Sequence, residues 1–253
     1  MGENHTATPE IYLSEAHRLI AAVTEARLMV RLFGSLAFQL RCPTFSHLRA
    51  SFNDIDFGGY NAHAKAMAEV MARLGYAENR EVFVLTEGGR AIFEHPTHGL
   101  HVDVFYEKLD FCHTLKLSGR LEVDAPTLPL AELLLGKMQI VEINEKDLVD
   151  TFMLLLEHPL SETDKAAINL AHVARLCADD WGLWRTVTMN LNKTKELAVM
   201  YAALNAEQQT RVVNQAEAIL HRLNAQPKSF AWRLRARVGD RVKWYNDVEE
   251  VNG

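Results

Sequence analysis

The sequence has few cysteines, no long apolar run and no excess of positive charge, and each shortage excludes a class of protein. Its three cysteines, among 253 residues, are far apart and form no Cys-x-x-Cys pair, which argues against a disulfide framework or a zinc site. No stretch approaches the roughly 20 apolar residues of a membrane span. The polar start of the chain, MGENHTATPE, lacks the basic and apolar regions of a signal peptide. We therefore expect a cytoplasmic protein without a membrane partner.

The net charge of −6 argues against a protein that grips long nucleic acid over a broad face, because such proteins are usually basic. Any contact with nucleic acid should be local. The segment 226–245 is rich in basic residues and leaves two alternatives open. It either guides an RNA acceptor or forms a solvated or interdomain face.

A change of composition near residues 124–129 divides the chain. We expect an α+β fold, in which a small mixed β-sheet core with flanking helices (residues 1–126) is followed by an all-helical domain (127–253). In the first part, alternation and turn residues predict strands at 28–33, 55–57, 80–86, 90–94 and 100–106. Helical spacing predicts helices at 10–28 and 61–74, a short helix after Gly34-Ser35, and five more near 130–142, 145–157, 164–177, 183–200 and 206–223.

Three sequence elements carry the chemistry, and the first is Gly34-Ser35, between an apolar strand and a helix. Glycine lets the backbone approach a ligand closely. The free N–H groups at the start of a helix suit a phosphate. By itself, a Gly-Ser pair after a strand is also typical of a plain turn.

The other two elements are Asp54-Ile55-Asp56 and a lone Asp103 between Val102 and Val104. Residues two apart on a strand share a face, so Asp54 and Asp56 should point the same way. Carboxylates side by side repel unless a cation lies between them, and a carboxylate on an apolar strand must be paired or bound to metal. Taken alone, an Asp-x-Asp pair is more typical of two solvated residues on an edge strand. Together, the three elements predict a phosphate cradle beside a magnesium site.

In this order, these elements resemble the polymerase-beta nucleotidyltransferase superfamily. The segment LPLAELLLGKMQIVEINEKDLVDTFMLLLEH, at 128–158, is similar to the Lys helix and the Lys-Asp-x-x-Asp helix of small bacterial nucleotidyltransferases. That group includes abortive-infection toxins and antibiotic-modifying enzymes. The whole chain also resembles a set of bacterial nucleotidyltransferase-like proteins. The eighteen residues between Ser35 and Asp54 form a longer spacer than in compact members, which leaves the substrate class open.

The resemblance implies an enzyme that uses Mg²⁺ or Mn²⁺ to transfer a nucleoside monophosphate from an NTP, ATP among them, to a hydroxyl acceptor. The acceptor would be a small molecule such as an antibiotic, a tRNA end or a protein. By resemblance, Asp54 and Asp56 hold both metal ions, while Asp103 holds the catalytic metal and helps to deprotonate the acceptor. Gly34 and Ser35 bind the β- and γ-phosphates. The alternative is a nucleotide-binding regulatory module of the same fold that has lost turnover.

Two basic residues are further candidates for the nucleotide site. Arg49 lies about where the toxin-like branch has an arginine before its Asp-x-Asp motif. Lys137 falls in the apolar stripe of its predicted helix, so it must either reach solvent or meet an anion. That anion is either the triphosphate, as the resemblance implies, or a carboxylate of Asp147 or Asp150 in an internal ion pair.

Three other residues are candidates for the same site. His101 shares a strand face with Asp103 and either contacts the site or is a satisfied turn histidine. Trp181 and Trp184 either stack on a base or, as an aromatic pair at helical spacing, belong to the core.

Overall fold

Helices and one small mixed sheet build this chain, in agreement with the predicted α+β class. The structure, a computed structural model, describes residues 8–97 and 99–247. The chain divides into two compact units. The first contains the chain up to Leu40 together with Ala50–Leu109 and Leu115–Pro129, and the second contains Arg41–Arg49, Asp110–Thr114 and the chain from Leu130. The last change of unit thus follows Pro129, whereas the sequence predicts a single boundary after residue 126.

The first unit is built around the sheet. Its helices are α1 (Pro9–Glu25), α2 (Gly34–Arg41), α3 (Ala64–Arg73) and α4 (Arg80–Leu85). The strands of the sheet are β1 (Val30–Phe33), β2 (Ile55–Gly59), β3 (Ala77–Asn79), β4 (Arg90–His95) and β5 (Leu100–Tyr106). Two further strands, β6 (Lys108–Asp110) and β7 (Thr114–Lys116), form a separate two-stranded sheet.

The five strands lie in the order β1-β2-β5-β4-β3. Strands β2 and β5 are parallel, and the other neighbours are antiparallel. Successive residues of a strand point to opposite faces, and one face is formed by buried apolar side chains: Leu32, Ile55, Phe57, Phe93, Val102 and Val104. Helices α1 and α3 contribute further buried residues to the core of this unit, among them Leu19 and Met67. The opposite face of the sheet carries the aspartates.

One predicted strand is wrong. Residues 80–86 contain a run of strand-forming residues, Val82 to Leu85, but Arg80–Leu85 forms helix α4. The side chain of Asn79 accepts a hydrogen bond from the backbone N–H of Val82 and caps this helix. Local capping prevails over strand propensity because only Val82 of the apolar residues 82–85 is buried, while Val84 and Leu85 are exposed.

The second unit contains all five helices predicted there and one more. They are α5 (Leu130–Met138), α6 (Glu145–Glu157), α7 (Leu170–Asp179), α8 (Trp181–Met200), α9 (Ala206–Ala225) and α10 (Phe230–Val238). The unit is not wholly helical, since β8 (Leu160–Ser161) and β9 (Ile168–Asn169) form a short parallel pair. Helix α10 lies in the basic segment 226–245, where the sequence does not separate helix from strand.

The tryptophans of the second unit pack against one another. Trp184 and Trp232 meet edge to face with ring centroids 5.2 Å apart, and Arg235 lies 4.6 Å above the ring of Trp181. Helix α10 is thereby attached to α8 through aromatic contacts. The core alternative for Trp181 and Trp184 matches these contacts.

Two findings concern the whole described chain. Within residues 8–97 and 99–247, no helix combines the length and the apolar character needed to cross a membrane. Cys42, Cys112 and Cys177 are free and buried.

Candidate functional site

The turn at Gly34 lies against a carboxylate. Strand β1 ends at Phe33, and Gly34 begins α2 with φ at +69°, a region that side chains disfavour. A Cβ atom at this position would overlap Oδ2 of Asp56 and lie 3.0 Å from its Cγ. Glycine is therefore needed both for the turn and for the close approach of the backbone to Asp56.

Ser35 follows in the first turn of α2 and is buried. The first N–H groups of a helix have no partner within the helix, and the dipole there is positive. The predicted phosphate cradle therefore lies beside a carboxylate, and this combination suits a phosphate that arrives with a cation.

Two of the three predicted aspartates are neighbours on one face of the sheet. Asp56 on β2 is in register with Asp103 on the parallel strand β5, and register partners on neighbouring strands project from the same face. Such strands are roughly 4.8 Å apart. Asp54 directly precedes β2 and is half-buried, as is Asp56, and its charge helps to raise the pKa of His101. A metal site formed by the three carboxylates stays a prediction.

Asp103 is held by an arginine that the sequence does not single out. The Arg90 Nε donates to Oδ1 at 2.8 Å, and its Nη2 donates to Oδ2 at 2.9 Å. The guanidinium also lies 5.1 Å above the ring of Phe105. The side chains are 22% and 7% exposed, so this is a largely buried, bidentate ion pair, the strongest geometry available to arginine and a carboxylate.

His101 is the second partner of Asp103. Its Nε2 lies 3.2 Å from Oδ2 of Asp103, and this hydrogen bond raises the pKa of His101, with the charges of Asp103 and Asp54 adding to the effect. Burial alone would raise the pKa of Asp103, but the hydrogen bonds from His101 and Arg90 outweigh it and lower that pKa. His101 therefore contacts the site, which is one of the two alternatives left open by the sequence.

These contacts bear on the expected magnesium. Within residues 8–97 and 99–247, no group of three or more His, Cys, Asp or Glu side chains is arranged to hold a metal ion. Both oxygens of Asp103 face Arg90 and His101 instead. Asp54 and Asp56 still supply two carboxylates beside the phosphate cradle. Mg²⁺ is usually held by one or two carboxylates together with water and substrate phosphates, so these residues fit a magnesium ion that arrives with a nucleotide.

Lys137 contacts carboxylates of its own unit, as in the ion-pair alternative. Its Nζ lies 2.8 Å from Oδ1 of Asp147 and 3.0 Å from Oδ2 of Asp150. Burial opposes its charge, but Asp150 and Asp147 outweigh burial and raise the pKa of Lys137. Arg49 joins the same group, with Nη1 3.3 Å from Oδ2 of Asp150 and 2.9 Å from the carbonyl oxygen of Lys146.

The structure thus separates the predicted residues into two groups. Gly34, Ser35, Asp54, Asp56 and Asp103 belong to the first unit, whereas Lys137 and Arg49 belong to a buried ionic cluster of the second. Arg90 is the residue that the sequence analysis missed. The sequence feature that could have identified Arg90 is a charged residue at the start of a strand, directly after Gly88-Gly89.

In comparisons with known proteins, no family model matches this sequence, and no match was found among curated proteins. The likeness to nucleotidyltransferases therefore depends on the residues described above.

Proposed function

We propose that the chain is a nucleotidyltransferase, which moves a nucleoside monophosphate from an NTP to a hydroxyl acceptor. One observation carries the proposal. The Gly34 turn lies against the carboxylate of Asp56, and Asp56 is in register with Asp103 on the same face of the sheet. A phosphate cradle beside clustered carboxylates is the arrangement that phosphoryl transfer requires.

In this proposal, Gly34 and Ser35 receive the β- and γ-phosphates at the start of α2. Asp54 and Asp56 hold Mg²⁺ or Mn²⁺, which when bound withdraws charge from the phosphates. The acceptor oxygen bonds to the α-phosphorus, the bond to the bridging oxygen breaks, pyrophosphate leaves, and the hydroxyl proton passes to solvent water. Asp103, kept ionised by Arg90 and His101, can accept a hydrogen bond from the acceptor hydroxyl and so orient it.

We assign the nucleotide to the first unit alone. Lys137 and Arg49 are already paired with carboxylates of the second unit. A basic side chain in a buried pair must leave a carboxylate unpaired before it can bind a triphosphate, and this is strongly unfavourable.

A second function, nucleotide binding without transfer, is favoured by one specific contact. Both oxygens of Asp103 accept hydrogen bonds within the protein. A carboxylate engaged in this way is less available to a metal or an acceptor. The chain would then recognise a nucleotide through Gly34, Ser35 and Asp56 and report its presence.

The two functions are separated by incubating the protein with each labelled NTP, Mg²⁺ or Mn²⁺, and cell extract. Transfer predicts that one NTP labels a small molecule, an RNA or a protein, and that Asp56→Asn abolishes the label. Asp179→Asn, at an exposed position of α7, is the matched control and should label normally. Binding of an NTP with no labelled product from any extract fraction would support the second function. Labelling by Asp56→Asn at the wild-type rate would refute the proposed site.

A further inference from the structure

A buried carboxylate needs a counter-charge, and Asp103 obtains one from Arg90. Asp103 is only 5% exposed and lies on a strand between the apolar residues Val102 and Val104. An ionised carboxylate in such a place is costly unless it is paired. A guanidinium is always charged in proteins, so Arg90 supplies this counter-charge at every pH at which Asp103 is ionised.

Little capacity is left on Asp103 for a metal ion. Each carboxylate oxygen has two lone pairs. Oδ2 accepts from Arg90 and His101, and Oδ1 accepts from Arg90. One acceptor position on Oδ1 remains, and a cation placed there would be repelled by the guanidinium beside it.

Arg90 is also held in place by contacts that do not involve Asp103. Its backbone N–H donates to the Thr86 hydroxyl at 3.0 Å, and that hydroxyl lies 3.2 Å from the Arg90 carbonyl oxygen. The ring of Phe105 supports the guanidinium from below. These contacts fix the start of β4, so the position of Arg90 does not depend on the ion pair alone.

We infer that the guanidinium of Arg90 is the counter-ion of Asp103. It takes the place of the second metal ion that would otherwise be required. The carboxylate face then binds a single divalent ion, at Asp54 and Asp56. Arg90 is a positioning residue in this inference, because it acts through Asp103. The inference rests on the proposed function only in placing the metal at Asp54 and Asp56.

The test is a titration of the full chain with Mn²⁺ alone, in which free Mn²⁺ is followed by electron paramagnetic resonance. The wild type should bind one ion. Asp56→Asn should weaken binding by about tenfold or more, whereas the double variant Asp103→Asn with Arg90→Gln, which removes both charges of the pair, should change it by less than about threefold. Arg90→Gln should bind a second ion or bind Mn²⁺ about tenfold more tightly. Arg90→Lys, which keeps the charge, should resemble the wild type.

Arg73→Gln provides the control, because it removes the same charge at an exposed position. If Arg90→Gln binds Mn²⁺ no better than Arg73→Gln, the inference is overturned. Arg90→Gln leaves a buried carboxylate unpaired and can unfold. In that case the double variant decides, because it leaves neither charge of the buried pair without its partner. A tenfold loss of Mn²⁺ affinity in the double variant, or no Mn²⁺ binding by the wild type, would contradict the inference.

The inference and the proposed function fail in different ways. If the double variant weakens Mn²⁺ binding by about tenfold while the wild type transfers label, Asp103 is a metal ligand and only the inference is lost. If the expected Mn²⁺ pattern appears but no NTP labels any acceptor, the inference stands and nucleotide binding without transfer is favoured.

Discussion

Replacing Lys137 with methionine tests the ionic cluster of the second unit. Methionine keeps most of the apolar stem and removes the charge. It leaves Asp147 and Asp150 without the ammonium group that lies 2.8 and 3.0 Å from them. The side chain of Asp150 is 0% exposed, and its Oδ1 already has no hydrogen-bond partner among the described residues. Water cannot replace the lost partner there without rearrangement.

The expected loss follows from the burial of the pair. Breaking a buried ion pair by removing one partner costs about 3–5 kcal/mol. Arg49 remains 3.3 Å from Asp150, so we expect the lower end, about 3 kcal/mol. At roughly 2–4 °C per kcal/mol for a chain of this size, the melting temperature should fall by about 6–12 °C.

Acid should relieve this defect. Burial already raises the pKa of Asp150, against the opposing effect of Lys137 and Arg49, and loss of Lys137 must raise it further. A carboxyl group whose pKa is raised on folding contributes stability below its ordinary value of 3.8 and loses it as the pH rises through the folded value. The difference in melting temperature between Lys137→Met and wild type should therefore be smaller at acidic than at neutral pH.

Circular dichroism melts at several pH values measure both effects. The control is Lys195→Met, because Lys195 pairs with the exposed Glu217 at 3.0 Å. A surface pair contributes at most about 1 kcal/mol, so this variant should melt close to wild type at every pH. Any rise in melting temperature on adding Mg²⁺ and an NTP should be retained in Lys137→Met. A Lys137→Met protein that melts like the control, or that loses the nucleotide-dependent rise, would refute the internal pairing.

Three further predictions concern the first unit. Gly34→Ala should destabilise the protein more than Gly119→Ala. Both glycines have positive φ (+69° and +71°), but only at Gly34 would a Cβ overlap Asp56. Equal losses of stability in urea unfolding would leave backbone strain as the sole cause. Asp56→Asn should melt at or slightly above the wild-type temperature without ligand, because it removes one of several clustered negative charges; a clear fall would show that the carboxylate is structural. Asp103→Asn should return the pKa of His101 toward its ordinary value of 6.5, which an NMR titration would measure. Because the folded pKa of His101 is raised, the stability from this pair is fully present below 6.5 and is lost as the pH rises through the folded value; an unchanged pKa would assign the shift to other charges.

The sequence predicts the aspartate face because local rules place those residues. Period-two alternation puts Asp54 and Asp56 on one face, and the apolar neighbours of Asp103 assign it to the polar face of its own strand. The preference of glycine for positive φ marks the turn at Gly34. None of these steps needs to know which strands pair.

The partners of Asp103 depend on strand register, which the sequence does not specify. Arg90 is opposite Phe105 in the antiparallel pair β4–β5, which brings it diagonally next to Asp103 on the same face. A shift of one residue would turn Arg90 to the other face. The last pair of this register is His95 with Leu100, and no local rule of the sequence specifies it. Lys137 is different, since the sequence already offers Asp147 and Asp150 as its partners, and the packing of α5 against α6 brings both carboxylates within 3.0 Å of its Nζ.

The balance of charge separates the two charged clusters more clearly than exposure does, because Lys137, Arg49, Asp54 and Asp56 are all half-buried. Both contain aspartates close to basic side chains. In the second unit, Asp150 is 0% exposed and lies between Lys137 and Arg49, so a ligand can reach it only by displacing packed groups. In the first unit, Asp54 and Asp56 are half-buried. They lie beside a helix start that offers N–H groups, and a ligand that brings its own cation can approach them. The first cluster therefore suits binding, and the second stabilises the packing of α5 against α6 through charges that are already balanced.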